Sequence, residues 1–232
     1  FAQRTCACSH AGRILRSLML QGSLADALAW ADPALVPWFD LLGAPVTPLE
    51  LVAFILSLWM VACNLRVHVW GWPLAIASSL LYGVFFARGK LYGEACLQLV
   101  FVAVSVWGWA QWLKKPADDA AGAGVVRYLG QRQRWLWLVV ALGLWPIMGG
   151  VLQRYTDTDV AFADALPTTF SLLGQYLLGR KYVENWAVWL FVNVVSMALF
   201  AYKGFWLTVV LYGIFALLSA LGWRQWRQMV KS

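Results

Sequence analysis

The residues best suited to chemistry are two indoles and an amide. Trp186, Trp189 and Asn193 stand at i, i+3 and i+7 in the run from Asn185 to Asn193, so a helix would line them along one stripe. An indole face stacks on a flat aromatic ring, and cation–π attraction adds to this when the ring is positive. The amide can read a carboxamide or a sugar hydroxyl. The pattern fits holding a planar polar solute better than breaking a bond in it. The sequence has no nucleophile–base pair, no H-E-x-x-H and no Walker sequence. An enzyme is not expected, and neither is a cofactor.

Other polar residues share this spacing. Glu94, Gln98, Phe101 and Ser105 fall at i, i+4, i+7 and i+11, as do Thr208, Tyr212, Phe215 and Ser219. Glu50, Ser57 and Asn64 step by seven, and Asp164, Ser171 and Leu178 repeat the step. Gln175 adds an amide one turn after Ser171. Trp72, Ala75 and Ser79 match the indole stripe, with Tyr82 and Phe86 following. The candidate binding set is therefore Trp186, Trp189, Asn193, Gln98, Asn64, Ser79, Tyr82, Tyr212, Thr208 and Glu94. The competing reading is helix–helix glue, since hydroxyls and amides often bond across membrane helices. Glu50, Asp164 and Glu94 also allow a proton relay, and Glu94 with Asp164 a membrane enzyme.

The elements that must carry these residues are membrane helices. Of 232 residues, 62% are hydrophobic and 12% charged, and the mean hydropathy is +0.66. A soluble domain needs a more charged surface. Seven apolar runs approach the roughly 20 residues that cross a bilayer: Thr47 to Leu65, Val69 to Ala87, Ala95 to Leu113, Trp135 to Leu152, Val160 to Gly179, Asn185 to Tyr202 and Phe205 to Trp223. Pro146 should kink the fourth. Sixteen Trp supply interface anchors as well as packing, and Trp112 and Trp226 read as anchors that set membrane position.

Residues 12–44 mix apolar positions with charges, a pattern for a peripheral amphipathic segment. Cys6, Cys8 and His10 lack a fourth metal ligand, and Cys63 and Cys96 read as core residues. The net charge of +7 resides in short loops, so it reports topology rather than nucleic acid. Eleven basic residues fall on one side and seven on the other. The positive-inside rule then puts the amino terminus outside and the carboxyl terminus in the cytoplasm.

An internal repeat organises the runs. Gly108-Trp109-Ala110-Gln111-Trp112 and Gly222-Trp223-Arg224-Gln225-Trp226 both read G-W-x-Q-W, at an offset of 114 residues. Carried back without gaps to Glu50 and Asp164, that offset pairs 63 positions, of which 14 are identical. Repeats four helices apart run parallel. The expected fold is all-α: seven transmembrane helices in a 3+1+3 parallel repeat. Its parts are a peripheral segment (1–46), repeat 1 (47–113), a cytoplasmic loop (114–134), a linker helix (135–153), repeat 2 (154–226) and a tail (227–232). A solute path would lie between the halves, near the midplane.

Trp70-Gly71-Trp72-Pro73, Leu91-Tyr92-Gly93-Glu94, Leu97-Gln98 and Gly108-Trp109 resemble the PnuC family of bacterial vitamin transporters. So do Asn185-Trp186, Trp189, Asn193, Lys203-Gly204, Leu211-Tyr212 and Gly222-Trp223. The likeness runs from about Thr47 to Trp226. It implies a full-length relative of the SWEET sugar carriers in the bacterial inner membrane. It also implies facilitated diffusion of nicotinamide riboside, trapping by a cytoplasmic kinase, and a trimer. Relatives carrying thiamin or riboflavin keep those vitamins open as alternatives. The family motif W-x-x-W-x-x-N falls on Trp186, Trp189 and Asn193, with Gln98 facing it.

Overall fold

The structure is a computed structural model that describes residues 28–41, 44–88, 92–114, 126–155, 160–202 and 206–231. Seven long helices dominate: α1 (Pro48–Leu65), α2 (Gly71–Arg88), α3 (Tyr92–Leu113), α4 (Gln131–Tyr155), α5 (Ala161–Gly179), α6 (Asn185–Tyr202) and α7 (Trp206–Lys231). Each begins within four residues of an expected run. The exposed side chains of α4, among them Leu136, Val139, Ile147 and Val151, are the kind a lipid-facing helix shows.

Two differences from the expected boundaries have one cause. α7 continues to Lys231, through Arg224 and Arg227, and α4 begins at Gln131. Hydropathy marks where lipid ends, whereas hydrogen bonding carries a helix on into water. The expected tail from 227 is thus the last turn of α7. α4 is helical through Pro146.

The amino-terminal residues 1–27, with Cys6, Cys8 and His10, lie outside the described residues. From Leu28 onward the peripheral segment forms short turns and a two-stranded antiparallel hairpin, β1 (Phe39–Leu41) with β2 (Ala44–Val46), Phe39 opposite Val46. This short pair stands apart from the helices, which make up most of the described residues. Pro33, Pro37 and Pro45 break any longer helix in this stretch. Asp32 pairs with Arg88 at the end of α2, which ties the segment down.

Among the described residues, five helices (α1, α3, α4, α6 and α7) are long and apolar enough to cross a membrane. α5 carries Asp164, Thr168, Thr169, Ser171 and Gln175, and α2 carries Ser78, Ser79 and Tyr82. α5 packs on three helices, α3, α4 and α6, an enclosure in which polar residues are tolerated as they would not be in lipid. α2 packs on α1 and α3 and buries its Ser78 against α1.

α1 and α5 end alike. Val67 and Lys181 have φ of 54° and 57°, the left-handed region, and they are equivalent at the 114-residue offset. Each helix closes in a Schellman motif. His68 N–H donates to Cys63 (2.8 Å) and Val67 N–H to Asn64 (3.1 Å). Tyr182 N–H donates to Leu177 (2.9 Å) and Lys181 N–H to Leu178 (2.9 Å).

Candidate functional site

The polar and aromatic residues of the seven helices fall into three levels. The first, at the Trp226 end, is a tryptophan layer. Trp72, Trp112, Trp186 and Trp226 are buried together with Val126, Leu178 and Val183. Trp72 meets Trp112 edge to face at 5.5 Å, and Trp186 meets Trp226 in the same way at 5.6 Å. The glycine that opens each G-W-x-Q-W run makes this possible. A Cβ on Gly108 would overlap the Trp72 ring, and one on Gly222 the Trp186 ring.

The two halves are bonded to each other in this layer. Trp112 Nε1 donates to the Leu178 carbonyl of α5 (3.1 Å). Trp226 Nε1 donates to the Asn64 and Leu65 carbonyls of α1 (3.0 and 3.1 Å). Leu178 and Asn64 are equivalent at the repeat offset. Each half thus caps the open carboxyl end of the other half's first helix, where carbonyls lack partners within the helix. The expected role of Trp112 and Trp226 as interface anchors is corrected. They are 9% and 0% exposed, because their N–H groups find carbonyls inside the protein.

A strap seals this layer. Arg127 N–H donates to the Lys181 carbonyl (3.1 Å) and Val183 N–H to the Arg127 carbonyl (3.0 Å). Glu184 accepts from Leu129 N–H (3.0 Å) and pairs with Arg134 (2.7 Å). Lys181 Nζ lies 5.2 Å from the Trp112 ring centre. Burial pushes its ammonium below the ordinary lysine range, and the indole face offsets part of that cost.

The second level, about two to three turns further in, is polar. Asn193 is buried, and its Nδ2 donates to Ser219 Oγ on α7 (3.2 Å). Gln175 Nε2 donates to Ser105 Oγ on α3 (3.3 Å). Ser105 and Ser219 are repeat partners, so each half presents a buried hydroxyl to an amide of the second half. Trp189 is half buried, its indole 3.1 Å from where a Gly174 Cβ would stand. It packs beside Phe170 and Val192.

The third level, toward the opposite end, is aromatic. Tyr82 stacks on Phe86 (6.1 Å), Tyr212 stacks on Phe200 (5.3 Å), and Tyr212 meets Phe215 edge to face (6.4 Å). The backbone of Gly83 packs near the Gln98 Cβ, which sets Gln98 against α2.

The expected residues are thus divided between levels. Trp189 and Asn193 share the middle. Trp186, on the same stripe, is committed to the tryptophan layer, where Gly222 and Trp226 enclose its ring. Asn64 also lies there: its Nδ2 contacts Met60 Sδ (3.0 Å), and its side chain fills the space beside Gly71. Two seven-residue steps carry it from the level of Glu50 to the far end of α1. Ser79 is half buried, but the buried hydroxyl is its neighbour Ser78, which bonds Ser57 (2.7 Å). The side chains of Glu94 and Thr208 lie outside the described residues. Sequence reasoning missed the tryptophan layer, although the paired glycines of the repeated pentamer were its signal.

Grooves open on the surface among the described residues. One, of about 340 Å³, is lined by Ala103, Val104, Trp107, Leu172 and Tyr176. Another, of about 220 Å³, is lined by Trp59, Ala62, Cys63, Arg66 and His68. Neither includes the middle-level amides.

Comparison with known proteins places this arrangement. Residues 47–228 match a family described as nicotinamide mononucleotide transporter. The nicotinamide riboside transporter PnuC of Escherichia coli K12 is 24% identical over 208 residues, covering 79% of this chain and 87% of that protein. The riboflavin/roseoflavin transporter RibM of Streptomyces davaonensis is 29% identical over 179 residues, covering 76% and 83%. A crystal structure of the vitamin B3 transporter PnuC superposes with a TM-score of 0.64 at 22% identity, covering 92% of this chain and 89% of the other. That likeness concerns the fold.

Proposed function

The chain belongs to the nicotinamide mononucleotide transporter family, the PnuC membrane transporters, and we propose that it carries nicotinamide riboside across a bacterial inner membrane by facilitated diffusion. The observation that carries this reading is the buried Asn193 amide one turn from Trp189. Asn193 Nδ2 has a second hydrogen to offer beyond its bond to Ser219. Trp189 supplies an aromatic face for the pyridinium, and Gln175 and the two serines supply partners for ribose. Trp186 positions this pair by anchoring the base of α6 against Trp226.

The 3+1+3 reading is supported by the reciprocal tryptophan bonds and the matched Schellman ends. They relate α1–α3 to α5–α7 and leave α4 without a counterpart. On that reading the halves rock about the path between them in alternating access. The arginine-rich strap and loops lie in the cytoplasm, as their charge favours. Trapping by a cytoplasmic kinase and a trimeric assembly follow from the family resemblance.

Purified protein in liposomes tests the reading. Labelled nicotinamide riboside should enter, plateau at equal concentration, and accumulate further when kinase and ATP are sealed inside. Binding without flux would indicate a ligand-capturing scaffold. Dependence on a proton gradient would indicate coupling through Glu50 or Asp164. The RibM relative makes riboflavin the second candidate, and titration with each vitamin separates the two.

A further inference from the structure

Glu50 belongs to none of the binding roles above, yet the structure fixes what it faces. It sits half buried on the first turn of α1, its N–H donating to Thr47 Oγ1 (3.2 Å). One turn further in, the Ala53 carbonyl accepts from Ser57 Oγ (2.9 Å) and from Ser78 Oγ of α2 (3.0 Å). Ser57 and Ser78 also bond each other at 2.7 Å. These contacts set the Ala53–Ser57 face of α1 against the Ser78 face of antiparallel α2.

From Ala53 to Glu50 is three residues, and from Ser78 to Tyr82 is four. Both steps run toward the same end and stay on the same helical face. Glu50 and Tyr82 therefore share one level and one face, a turn outward from the serine pair. Phe86 stacks on the Tyr82 ring. An aromatic pair of α2 thus stands beside the carboxylate of α1.

The carboxylate recurs in the second half as Asp164, but its aromatic neighbour does not: the repeat partner of Tyr82 is Ser196. Among the described residues Glu50 forms no ion pair. A carboxylate within a membrane helix is costly unless a charge answers it. Aromatic faces beside a carboxylate attract a cation through both the ring quadrupole and the full charge. Nicotinamide riboside carries a fixed positive charge on its ring, and riboflavin carries none.

We propose that Glu50, beside Tyr82, selects solutes by charge, favouring a heteroaromatic cation over a neutral vitamin. This rests on the reading that the chain carries nicotinamide riboside.

Calorimetric titration of the full-length protein tests it, with nicotinamide riboside and its uncharged dihydro form as paired probes. The wild type should bind the cation about tenfold more tightly than the neutral form. Glu50→Gln should remove that preference by weakening the cation alone, and Glu50→Asp should keep most of it. Equal affinities in the wild type overturn the charge role without any variant having to fold. Equal losses for both probes in Glu50→Gln overturn it as well. A wild type that binds neither probe overturns the transport reading and this one together, an outcome distinct from the other two.

Discussion

The indole nitrogen of Trp226 lies 3.0 Å from the carbonyl oxygen of Asn64, 162 residues earlier in the chain. Trp112 repeats the contact toward Leu178. Each bond ties the last helix of one half to the first helix of the other, so the seam is closed twice by the same device.

Replacing Trp226 with Phe keeps the aromatic packing and removes the donor. The Asn64 carbonyl keeps its bond from Val67 N–H but loses this second donor, and the Leu65 carbonyl loses the indole, at a cost of about 1 kcal/mol. Thermal unfolding in detergent should shift down by a few degrees. Trp112→Phe should cost less, since one carbonyl is involved. No shift in either variant would mean that packing alone holds the seam.

Adding a methyl group at Gly222 should destabilise by about 1–3 kcal/mol, because the Trp186 ring occupies that space. Combining Gly222→Ala with Trp186→Leu should cost less than the sum of the single changes. Additive losses would separate the two residues. Gly108→Ala with Trp72→Leu should behave in the same way.

Val67 holds a β-branched side chain at φ 54°. That backbone costs about 1–2 kcal/mol relative to glycine, part of which glycine returns through its freedom when unfolded. Val67→Gly should therefore raise the unfolding midpoint slightly. A lower midpoint would show that the Val67 side chain contributes more by packing on the tryptophan layer.

In the middle level, Trp189→Ala and Asn193→Leu should abolish nicotinamide riboside binding while size-exclusion profiles stay monodisperse. Ser219→Ala removes the partner of Asn193 and should leave binding measurable. Wild-type affinity in Trp189→Ala and Asn193→Leu would assign that stripe to packing.

Much of this was legible in the residues. The apolar runs coincide with the seven long helices of the described residues, five of which are long and apolar enough to cross a membrane. The offset of 114 that matched the two G-W-x-Q-W pentamers also pairs Val67 with Lys181 and Asn64 with Leu178. Asn193 was expected to face inward because a buried amide needs partners, and it is buried with Ser219 as its partner. The hairpin at Phe39 and the helical turns past Trp223 were not legible, since local hydropathy is silent on hydrogen bonding in water.

What tertiary structure alone decided is how the stripe divides. Trp186, Trp189 and Asn193 share one helical face, and periodicity goes no further. Trp186 joins the seam because Gly222, 36 residues later, leaves room for its ring, and Asn193 bonds Ser219 because α6 and α7 pack at that depth. Such choices depend on atoms from helices distant in sequence, whose close packing no single stretch of chain specifies.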